Sequence, residues 1–303
     1  MPETMRLIPP SDFSLYSSGF AEPPKSVEVP RISNAESDPI GWRRAVPDSI
    51  RRARRARAIR IEAAAYGRSD IGAGSLALVN DLRGSQPGVT GYVVCNGPSI
   101  NRTDLSVVGD APYILMNRGY LLQDRIGRRP TAICASDELV LRQFGDEILR
   151  QNSMLFLPKS ASEVFARRED VAYLAWDWRW QFANDLRLTT HHGYTITFWA
   201  LQVAHHLGWG KVIIVGLDHS FTNAGKDAGV SSISGGGDAN HFDPDYFPAG
   251  SAVYQPVPTA NEYSYILGRS AFESSGRRIV DCTPGGACQV FQKGDLIIES
   301  TLN

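Results

Sequence analysis

The sequence of 303 residues lacks several features that would place it in a class at once. Its charge is almost balanced, with 31 Lys and Arg against 32 Asp and Glu, so no electrostatic argument favours nucleic acid as a partner. The chain does not begin with a basic and then apolar segment, and no run approaches the roughly 18–20 apolar residues of a membrane span. These absences predict a cytoplasmic globular protein.

Cysteine is scarce, and its spacing excludes the common motifs. The four cysteines form no CxxC pair, and two of them lie in apolar runs where a thiol behaves as a small apolar side chain. We expect reduced, structural thiols. The sequence around residue 96 also lacks both the GxGxxG and the GxxxxGK[ST] nucleotide fingerprints.

The N-terminal part of the chain differs in composition from the rest. Residues 1–40 are rich in Pro, Ser and Glu without periodicity, which predicts a poorly ordered tail. From residue 47, "PDSIRRARRARAIRIEAAAYG" has a helical apolar stripe opposite an arginine face. That face is either solvated, an oligomer contact, or a cationic patch that could bind an anion or touch the inner membrane peripherally. We predict an N-terminal tail and helical extension over 1–88 and a catalytic domain over 89–303.

From residue 89 onward, short β-type runs alternate with polar or helical sequence. The runs are "GYVVCN", "PYILMN", "TAICASD", "MLFLPK", "KVIIVGLDHS" and "RIVDCT". The clearest helices are "DELVLRQFGDEILRQ" and "GYTITFWALQVAHHLGW", the second with one buried stripe and Gly208 as its C-cap. This alternation predicts an α/β fold, a Rossmann-like, mostly parallel sheet with helices on both faces. The glycine-rich stretch at about 222–240 predicts a flexible lid.

Polar residues follow the apolar strands of this predicted sheet. In an open parallel sheet, ligands bind outside the carboxyl ends of the strands. The residues at those ends are Asn96, Gly97, Ser99, Asn117, Ser136, Asp137, Asp218 and His219. In Asn-Gly-Pro-Ser, glycine permits close approach of the backbone or a positive φ, and serine offers a hydroxyl. This loop suits one phosphate or a ribose, and the alternative is a simple strand-to-helix turn.

The segment "TTHHGYT" precedes the second long helix. Thr189, Thr190 and Gly193 would offer hydroxyl and N–H groups to an anion or a base edge, and a threonine there could equally only cap the helix. The adjacent pair His191 and His192 is expected to be solvated. His205 and His206, inside the helix, are expected to be structural.

Two histidines flank the predicted lid. His241 lies in "NHFDPDYF", a run with no regular period, where an imidazole can act as a general base. His219 follows a predicted strand, where packing is the expected role. A different chemistry is also open, because acidic residues near both histidines could hold a cation. That set comprises Asp218, His219, His241, Asp243 and Asp245.

In their order along the chain, four segments resemble a known family. "VVCNGPSI", "MNRGY", "TTHHGYTITFWALQVAHHLGWGKVIIVGLDHSF" and "NHFDPDYF" are similar to segments of the bacterial sialyltransferase-type Rossmann fold. That fold includes a wider group resembling 6-hydroxymethylpterin diphosphokinase, to which "GLDHSF" and "NHFDPDYF" are more similar. The resemblance covers about residues 89–292. Phe221 stands near the position of one of the tyrosines with which the family holds the leaving phosphate.

The resemblance implies roles for particular residues. It implies that the Asn-Gly-Pro-Ser turn, an asparagine after the second strand and the threonine segment hold the cytidine nucleotide of CMP-sialic acid. It implies that a histidine just after the lid is the base, and that a further polar contact falls at Asp137. In this sequence these positions are Asn96, Gly97, Ser99, Asn117, Thr189, Thr190 and His241.

The expected function is therefore an inverting, metal-independent glycosyltransferase that needs no cofactor. Its partners would be a donor, either a CMP-activated acidic sugar or a related nucleotide sugar, and a glycan or small-molecule acceptor. One alternative is an ATP- and Mg-dependent diphosphokinase with Asp137 and Asp218 near the metal. Another is a nucleotide-binding module without turnover in polysaccharide assembly.

Overall fold

The computed structural model describes most of the chain from residue 64 onward and two short strands before it. The described residues are 4–7, 27–30, 64–177, 180–222, 229–233 and 237–302. Residues 47–63, which make up most of the predicted arginine-rich helix, lie outside this set. The parts of the predicted lid at 223–228 and 234–236 also lie outside it.

The strands of the described residues form one large sheet and three small pairs. In chain order they are β1 (Thr4–Leu7), β2 (Val27–Pro30), β3 (Thr90–Val94), β4 (Tyr113–Met116), β5 (Ala132–Cys134), β6 (Met154–Pro158), β7 (Val171–Leu174), β8 (Trp176–Asp177), β9 (Thr190–His191), β10 (Lys211–Val215), β11 (Val230–Ser232), β12 (Ala252–Tyr254), β13 (Arg278–Asp281) and β14 (Gln292–Lys293). The eight-stranded sheet has the order β14-β13-β10-β3-β4-β5-β6-β7. All its neighbouring pairs are parallel. β8 pairs with β9 in parallel, while β1 with β2 and β11 with β12 are antiparallel.

Within the described residues, six helices and four 3₁₀ turns connect the strands. The helices are α1 (Asp70–Leu82), α2 (Gln123–Ile126), α3 (Glu138–Leu149), α4 (Ile196–Leu207), α5 (Pro258–Ser274) and α6 (Leu296–Thr301) in the part of the chain described from residue 70. The 3₁₀ turns are Pro98–Arg102, Leu105–Val108, Asn117–Leu122 and Lys159–Glu163. The predicted helices correspond to α3 and α4.

The sheet is apolar on both faces, because helices cover it on both sides. In β3, Val93 packs into the layer that includes α1, α4 and α5, while Tyr92 and Val94 pack into the layer that includes α3. Side chains alternate across a strand, so a strand covered on both faces reads as a continuous apolar run. The predicted Rossmann-like α/β fold is confirmed, and all six predicted runs are strands of the sheet.

Helix α4 is buried all round, which corrects the expectation of a single buried stripe. Every residue from Thr197 to Leu207 is buried, as is typical of a helix that is apolar on all sides. His206 donates from Nε2 to the Val79 carbonyl oxygen at 2.8 Å, and His205 Nε2 lies 3.2 Å from the Ser275 hydroxyl. Both histidines are structural, as expected, and burial lowers the pKa of His205 to about 4. Gly208 ends the helix at φ 97°.

Helix α1 belongs to the packing of the sheet although it precedes residue 89. Val79 is part of the core, and Ser75 Oγ accepts a hydrogen bond from the Tyr173 amide at 3.0 Å. The Tyr66 hydroxyl donates to the Tyr173 carbonyl oxygen, also at 3.0 Å. The described residues before 89 therefore contribute to the same core, and the division at residue 88 stays a prediction.

The strand order reverses between β3 and β10. From β3 the chain adds β4, β5, β6 and β7 on one side, then returns to add β10, β13 and β14 on the other. The loops that leave β3 and β10 therefore diverge, which opens a crevice at their carboxyl ends. The two loops touch at its base, where the Gly97 amide donates to the Gly216 carbonyl oxygen at 3.0 Å.

The remaining expectations about chain type concern cysteines and membrane spans. All four cysteines are buried and free of disulfides. Among the helices within the described ranges, none combines the length and the apolar character needed to cross a bilayer.

Candidate active site

A cavity of about 760 Å³ opens at the carboxyl ends of β3, β4, β5 and β10. The predicted site residues on its wall are Asn96, Gly97, Asn117, Asp137, Asp218, His219 and His241. The structure thus brings together residues that are up to 145 positions apart in sequence, from 96 to 241. Four predicted residues are not part of this wall, namely Ser99, Thr189, Thr190 and Gly193.

Ser99 supports the site from behind. It is fully buried, and its hydroxyl donates to Asp218 Oδ2 at 2.6 Å, while its amide lies 3.2 Å from both carboxylate oxygens. The expected ligand contact through this hydroxyl is therefore not supported, because the hydroxyl is already committed to Asp218. Gly97 is required by close packing, since a Cβ there would lie 2.0 Å from Asp218 Oδ2. Its φ of −70° is ordinary.

The loop after β3 also holds the segment that contains His241. The Asn96 carbonyl oxygen accepts from the Phe242 amide at 2.9 Å, and Asn101 Nδ2 donates to the Phe242 carbonyl oxygen at 2.6 Å. Asn96 Nδ2 donates to the Met116 carbonyl oxygen at 3.0 Å, which ties the same loop to the end of β4. Asn96 is therefore a structural hub, and its Oδ1 is buried without a hydrogen-bond partner.

Asn117, directly after β4, has a backbone conformation that is unusual for a residue with a side chain. Its φ is 50°, in the left-handed region that asparagine tolerates better than most residues. Its Oδ1 is also buried without a partner. Backbone strain and an unsatisfied polar atom thus coincide on the cavity wall, as they often do at functional sites.

His241 is held by a buried carboxylate. Its Nδ1 lies 2.7 Å from Oδ2 of Asp238, whose side chain is 1% exposed. A carboxylate can only accept, so Nδ1 carries the proton, and in the neutral ring Nε2 keeps its lone pair. The imidazole stacks on Tyr246 with ring centroids 4.1 Å apart and an angle of 1°. A fixed ring with a basic nitrogen on a cavity wall is what general-base catalysis requires.

Arg118 in turn fixes Tyr246. The Arg118 amide donates to the Tyr246 hydroxyl at 3.0 Å, and its guanidinium donates to the carbonyl oxygens of Asp245 and Tyr246. The guanidinium also lies over the Phe144 ring, 4.1 Å from its centroid. Burial raises the pKa of Tyr246, which stays a neutral phenol. His241 is thus stacked on a platform that α3 and the end of β4 hold in place.

His219 lies on the opposite side of the crevice, after β10. Its φ is 51°, its side chain is 4% exposed, and its Nε2 faces Glu262 Oε1 at 3.2 Å. Its ring packs against Phe221 and Tyr265. Packing is therefore a real part of its role, and its predicted contact with substrate stays a prediction.

The N-terminus of α4 faces the cavity, although not through the residues expected. Thr195 is the N-cap, with Oγ1 accepting from the Thr197 amide at 3.3 Å, and both threonines line the cavity. The expectation that Thr189 or Thr190 caps the helix is wrong. Thr190 lies in β9, where its hydroxyl donates to the Ala175 carbonyl oxygen at 2.9 Å.

The turn into α4 explains why the remaining residues of this segment are not on the wall. Gly193 has a φ of 58°, and a Cβ there would lie 2.5 Å from the Phe198 ring, so it forms the turn. Thr189 is only partly buried and precedes β9. The neighbours of Gly193 on both sides, His192 and Tyr194, line the cavity, whereas Gly193 itself packs against the Phe198 ring.

His191 and His192 are not solvated, which corrects another expectation. His191 is buried and donates from Nδ1 to Asp177 Oδ1 at 2.7 Å. His192 lines the cavity beside Trp176, with ring centroids 4.8 Å apart. Burial lowers the pKa of His192 to about 4, so it is neutral at physiological pH, and its Nδ1 donates to the Gly193 carbonyl oxygen at 2.6 Å.

The acidic residues proposed as an alternative cation site do not gather. Within the described ranges, no three His, Cys, Asp or Glu side chains form a group that could hold a metal ion. Asp243 instead accepts from the Asp245 amide at 2.8 Å, and neither residue lines the cavity. Asp137 caps α3, with Oδ1 accepting from Leu139 and Val140, and burial raises its pKa.

The predicted lid includes a strand. β11, within 222–240, pairs with β12, and Ser231 and Tyr254 of this ribbon line the cavity. The Gln143 side chain of α3 binds the ribbon in two directions, because its Nε2 donates to the Ala252 carbonyl oxygen at 2.8 Å and its Oε1 accepts from the Ala252 amide at 2.9 Å. The flexibility of the lid stays a prediction.

Sequence reasoning missed several wall residues. Asp238 precedes His241 by three residues, and this spacing was a signal for a carboxylate–histidine pair. Tyr194 and Thr195 lie inside the predicted TTHHGYT segment, but the candidates chosen there were Thr189, Thr190 and Gly193. Tyr265 comes from α5, and no local pattern connects it with the strand ends.

The fold and its cavity define a Rossmann-like α/β protein with an open crevice at the strand ends. It is similar in structure to the MAf glycosyltransferase from Magnetospirillum magneticum AMB-1, at 14% identity and a TM-score of 0.45 over 76% of this chain, and spans 38% of that longer chain. It is also similar to the sialyltransferase CstII from Campylobacter jejuni in complex with cytidine-5'-monophosphate, at 12% identity and a TM-score of 0.41, over 70% of this chain and 87% of that one.

A second structure of CstII, in complex with CMP-3FNeuAc, gives 13% identity and a TM-score of 0.42 over 68% of this chain and 86% of that one. At these identities the likenesses bear on the fold alone. No family model and no curated protein matches the sequence.

Proposed function

We propose that this chain is an inverting, metal-independent glycosyltransferase that uses a nucleotide-activated sugar, with a CMP-activated acidic sugar as the first candidate. The observation that supports it best is the pair of His241 and Asp238 on the wall of a cavity at the strand ends. The resemblance of the sequence motifs to sialyltransferases supports the choice of donor. Residues 89–303 would form the catalytic domain.

In this proposal the donor nucleotide occupies the crevice between β3 and β10. Its phosphate lies at the N-terminus of α4, where Thr195 and Thr197 line the cavity and the positive end of the helix dipole favours an anion. Asn96 and Asn117, at the ends of β3 and β4, contact the nucleoside.

The acceptor hydroxyl lies against His241. Its oxygen attacks the anomeric carbon from the face opposite the nucleotide, and Nε2 takes the proton as the new bond forms. The bond from the anomeric carbon to the phosphate oxygen breaks, and the electron pair leaves with the nucleotide. Asp238 stabilises the imidazolium that results, and attack from the opposite face inverts the configuration.

A ligand panel tests the proposal. A ligand that binds the native state raises the melting temperature by mass action, so CMP or a CMP-sugar should stabilise the protein more than ATP with Mg²⁺ does. Release of CMP from a CMP-sugar in the presence of acceptor should survive exhaustive chelation. Stabilisation by ATP with Mg²⁺ alone would favour the diphosphokinase, and nucleotide binding without turnover would favour the non-catalytic module.

A further inference from the structure

Two helices point their N-termini at the cavity, and their charges differ. α4 begins with Thr195 as the cap and has no acidic residue in its first turn. α3 begins with Asp137 as the cap and Glu138 in its first turn, and both of these acidic residues line the cavity. The positive end of the α4 dipole is therefore available to an anion, whereas that of α3 is already covered by carboxylates.

Only one carboxylate oxygen of Asp137 makes hydrogen bonds to its helix. Oδ1 accepts from the Leu139 amide at 2.8 Å and the Val140 amide at 3.1 Å, while Oδ2 makes no hydrogen bond within the described residues. Glu138 differs, because its carboxylate pairs with exposed Arg142. On the cavity wall, Asp137 therefore presents a free acceptor oxygen with negative charge.

The described part of the wall offers no Lys or Arg side chain to offset this charge. Lys and Arg are absent among the described wall residues, whereas Asp137, Asp218 and Asp238 all contribute to it. The contacts of Asp218 are with the Ser99 amide and hydroxyl, and those of Asp238 are with the Asn240 amide and His241. Buried Oδ1 of Asn96 adds an acceptor without a partner. A ligand group that lies beside one of these carboxylates needs hydrogen-bond donors rather than negative charge, whereas the anionic donor of the proposed function lies against the N-terminus of α4.

Asp137 lies on the same side of the cavity as His241. The segment that holds His241 packs in the same apolar layer as α3, the helix that Asp137 caps, because the Phe247 ring lies 5.2 Å from that of His241 and 5.9 Å from that of Phe144 in α3. Phe247 and Tyr254 line the cavity and offer an apolar surface to the face of a sugar ring. The acidic end of the cavity is thus the end where the base acts.

We propose that this end is the acceptor subsite and that Asp137 makes it selective for a neutral or cationic polyhydroxylated sugar over an acidic one. Oδ2 of Asp137 accepts a hydrogen bond from a hydroxyl or ammonium group of the acceptor, while a carboxylate or phosphate on the acceptor is repelled. This rests on the proposed function, in which the anionic donor lies at the other end, against α4.

The test compares pyranoses that differ only in charge. Glucose, glucosamine and glucuronic acid, with a galacto series in parallel, are titrated into the full chain and binding is measured by calorimetry at pH 7. We expect the uronic acid of each series to bind at least about tenfold more weakly than the neutral or amino sugar, the size expected for one nearby like charge. Equal affinity for the uronic acid would overturn the proposal, as would failure of every sugar in both series to bind.

Asp137→Asn isolates the charge, because asparagine is also a good N-cap and should keep the helix intact. The substitution should reduce the ratio of the affinities for neutral and acidic sugars about three- to tenfold. Asp295→Asn is the matched control, since Asp295 caps α6 by the same two-amide contact, at 2.9 and 3.0 Å, outside the cavity wall. A control effect as large as that of Asp137→Asn would contradict the assignment. Nucleotide binding is measured separately. If nucleotide binds but the sugars do not behave as expected, the acceptor assignment is wrong, whereas absence of nucleotide binding would contradict the proposed function.

Discussion

The contact between Asp238 and His241 leads to a prediction about a single atom. In Asp238→Asn the side chain keeps an oxygen, which can still accept from the Asn240 amide, a contact of 3.0 Å to Asp238 Oδ1 in the structure. The new amide nitrogen then faces Nδ1 of His241, where the carboxylate oxygen lies at 2.7 Å. Because an amide nitrogen only donates, Nδ1 must accept, and the proton moves to Nε2. The base then has no lone pair where the substrate needs it.

The size of the effect follows from the burial of this pair. A hydrogen bond to a charged group contributes about 1.5–3 kcal/mol, and Asp238 is 1% exposed, so solvent cannot replace the carboxylate. Loss of that bond alone corresponds to roughly 10- to 150-fold in rate. The wrong tautomer adds to this, and the same substitution in a serine-protease triad costs about 10⁴. We expect the turnover of Asp238→Asn to fall by about 10² to 10⁴.

The assay is transfer at saturating donor, with donor binding measured in parallel by thermal shift. His241→Ala should lose a similar factor, and donor affinity should change little in either variant, because the proposed nucleotide contacts lie at β3, β4 and α4. The two residues act as one unit, so the double variant should be no slower than His241→Ala alone. If the rate losses of the two single variants multiplied in the double variant, or if Asp238→Asn had a normal rate, the reasoning would be refuted.

Three further predictions concern the support of the site and the core. Gly97→Ala should lower the free energy of unfolding by about 1–3 kcal/mol in a urea titration, because its Cβ would displace the Asp218 carboxylate; an unchanged midpoint would contradict this. Arg118→Lys should lower kcat about 10- to 100-fold at unchanged KM, since it loosens the platform under the base. Arg128 also packs on an aromatic ring but lies outside the cavity wall, so Arg128→Lys should leave kcat unchanged. Equal losses of kcat in the two variants would mean that the effect of Arg118→Lys comes from lower stability of the fold. Burial lowers the pKa of His205 from 6.5 to about 4 on folding, so the folded state resists protonation and the free energy of unfolding falls as the pH drops below 6.5. His205 alone should account for a loss of about 2 kcal/mol between pH 7 and pH 5, and His205→Gln should remove that part of the pH dependence while the part due to His192 remains.

The sheet was largely predictable because its strands are covered on both faces. Runs such as "YILM" can be buried only as strands of a two-sided sheet or in a buried helix, and their length and spacing favour strands. β14 could not be found in this way, since Gln292 and Lys293 are exposed and only backbone pairing places them in the sheet. Helix α5 was missed because its sequence, "PTANEYSYILGRSAFES", is mixed in polarity.

The site was predictable where strand position alone decides it. Asn96, Asn117 and Asp137 reach the cavity because they follow adjacent parallel strands, whatever their side chains contact. Ser99 shows the limit of that rule, because three residues beyond the strand the direction of a side chain depends on tertiary contacts, here with Asp218. The prediction of the threonine that caps α4 failed for a related reason. The turn at Gly193 places the start of the helix after Thr189 and Thr190, and Thr195 is the cap.

The contacts of the segment around His241 explain how a residue outside any helix or strand can be held rigidly enough to act as a base. Both backbone groups of Phe242 are bound by the loop after β3, and the Tyr246 platform is bound by Arg118 after β4. The proposed base, His241, is therefore anchored to the ends of two central strands, β3 and β4, and the loop after β3 also forms one side of the crevice. The β11–β12 ribbon has a separate anchor, through Gln143 of α3. Since the two anchors share no residue, a change in the ribbon need not displace His241.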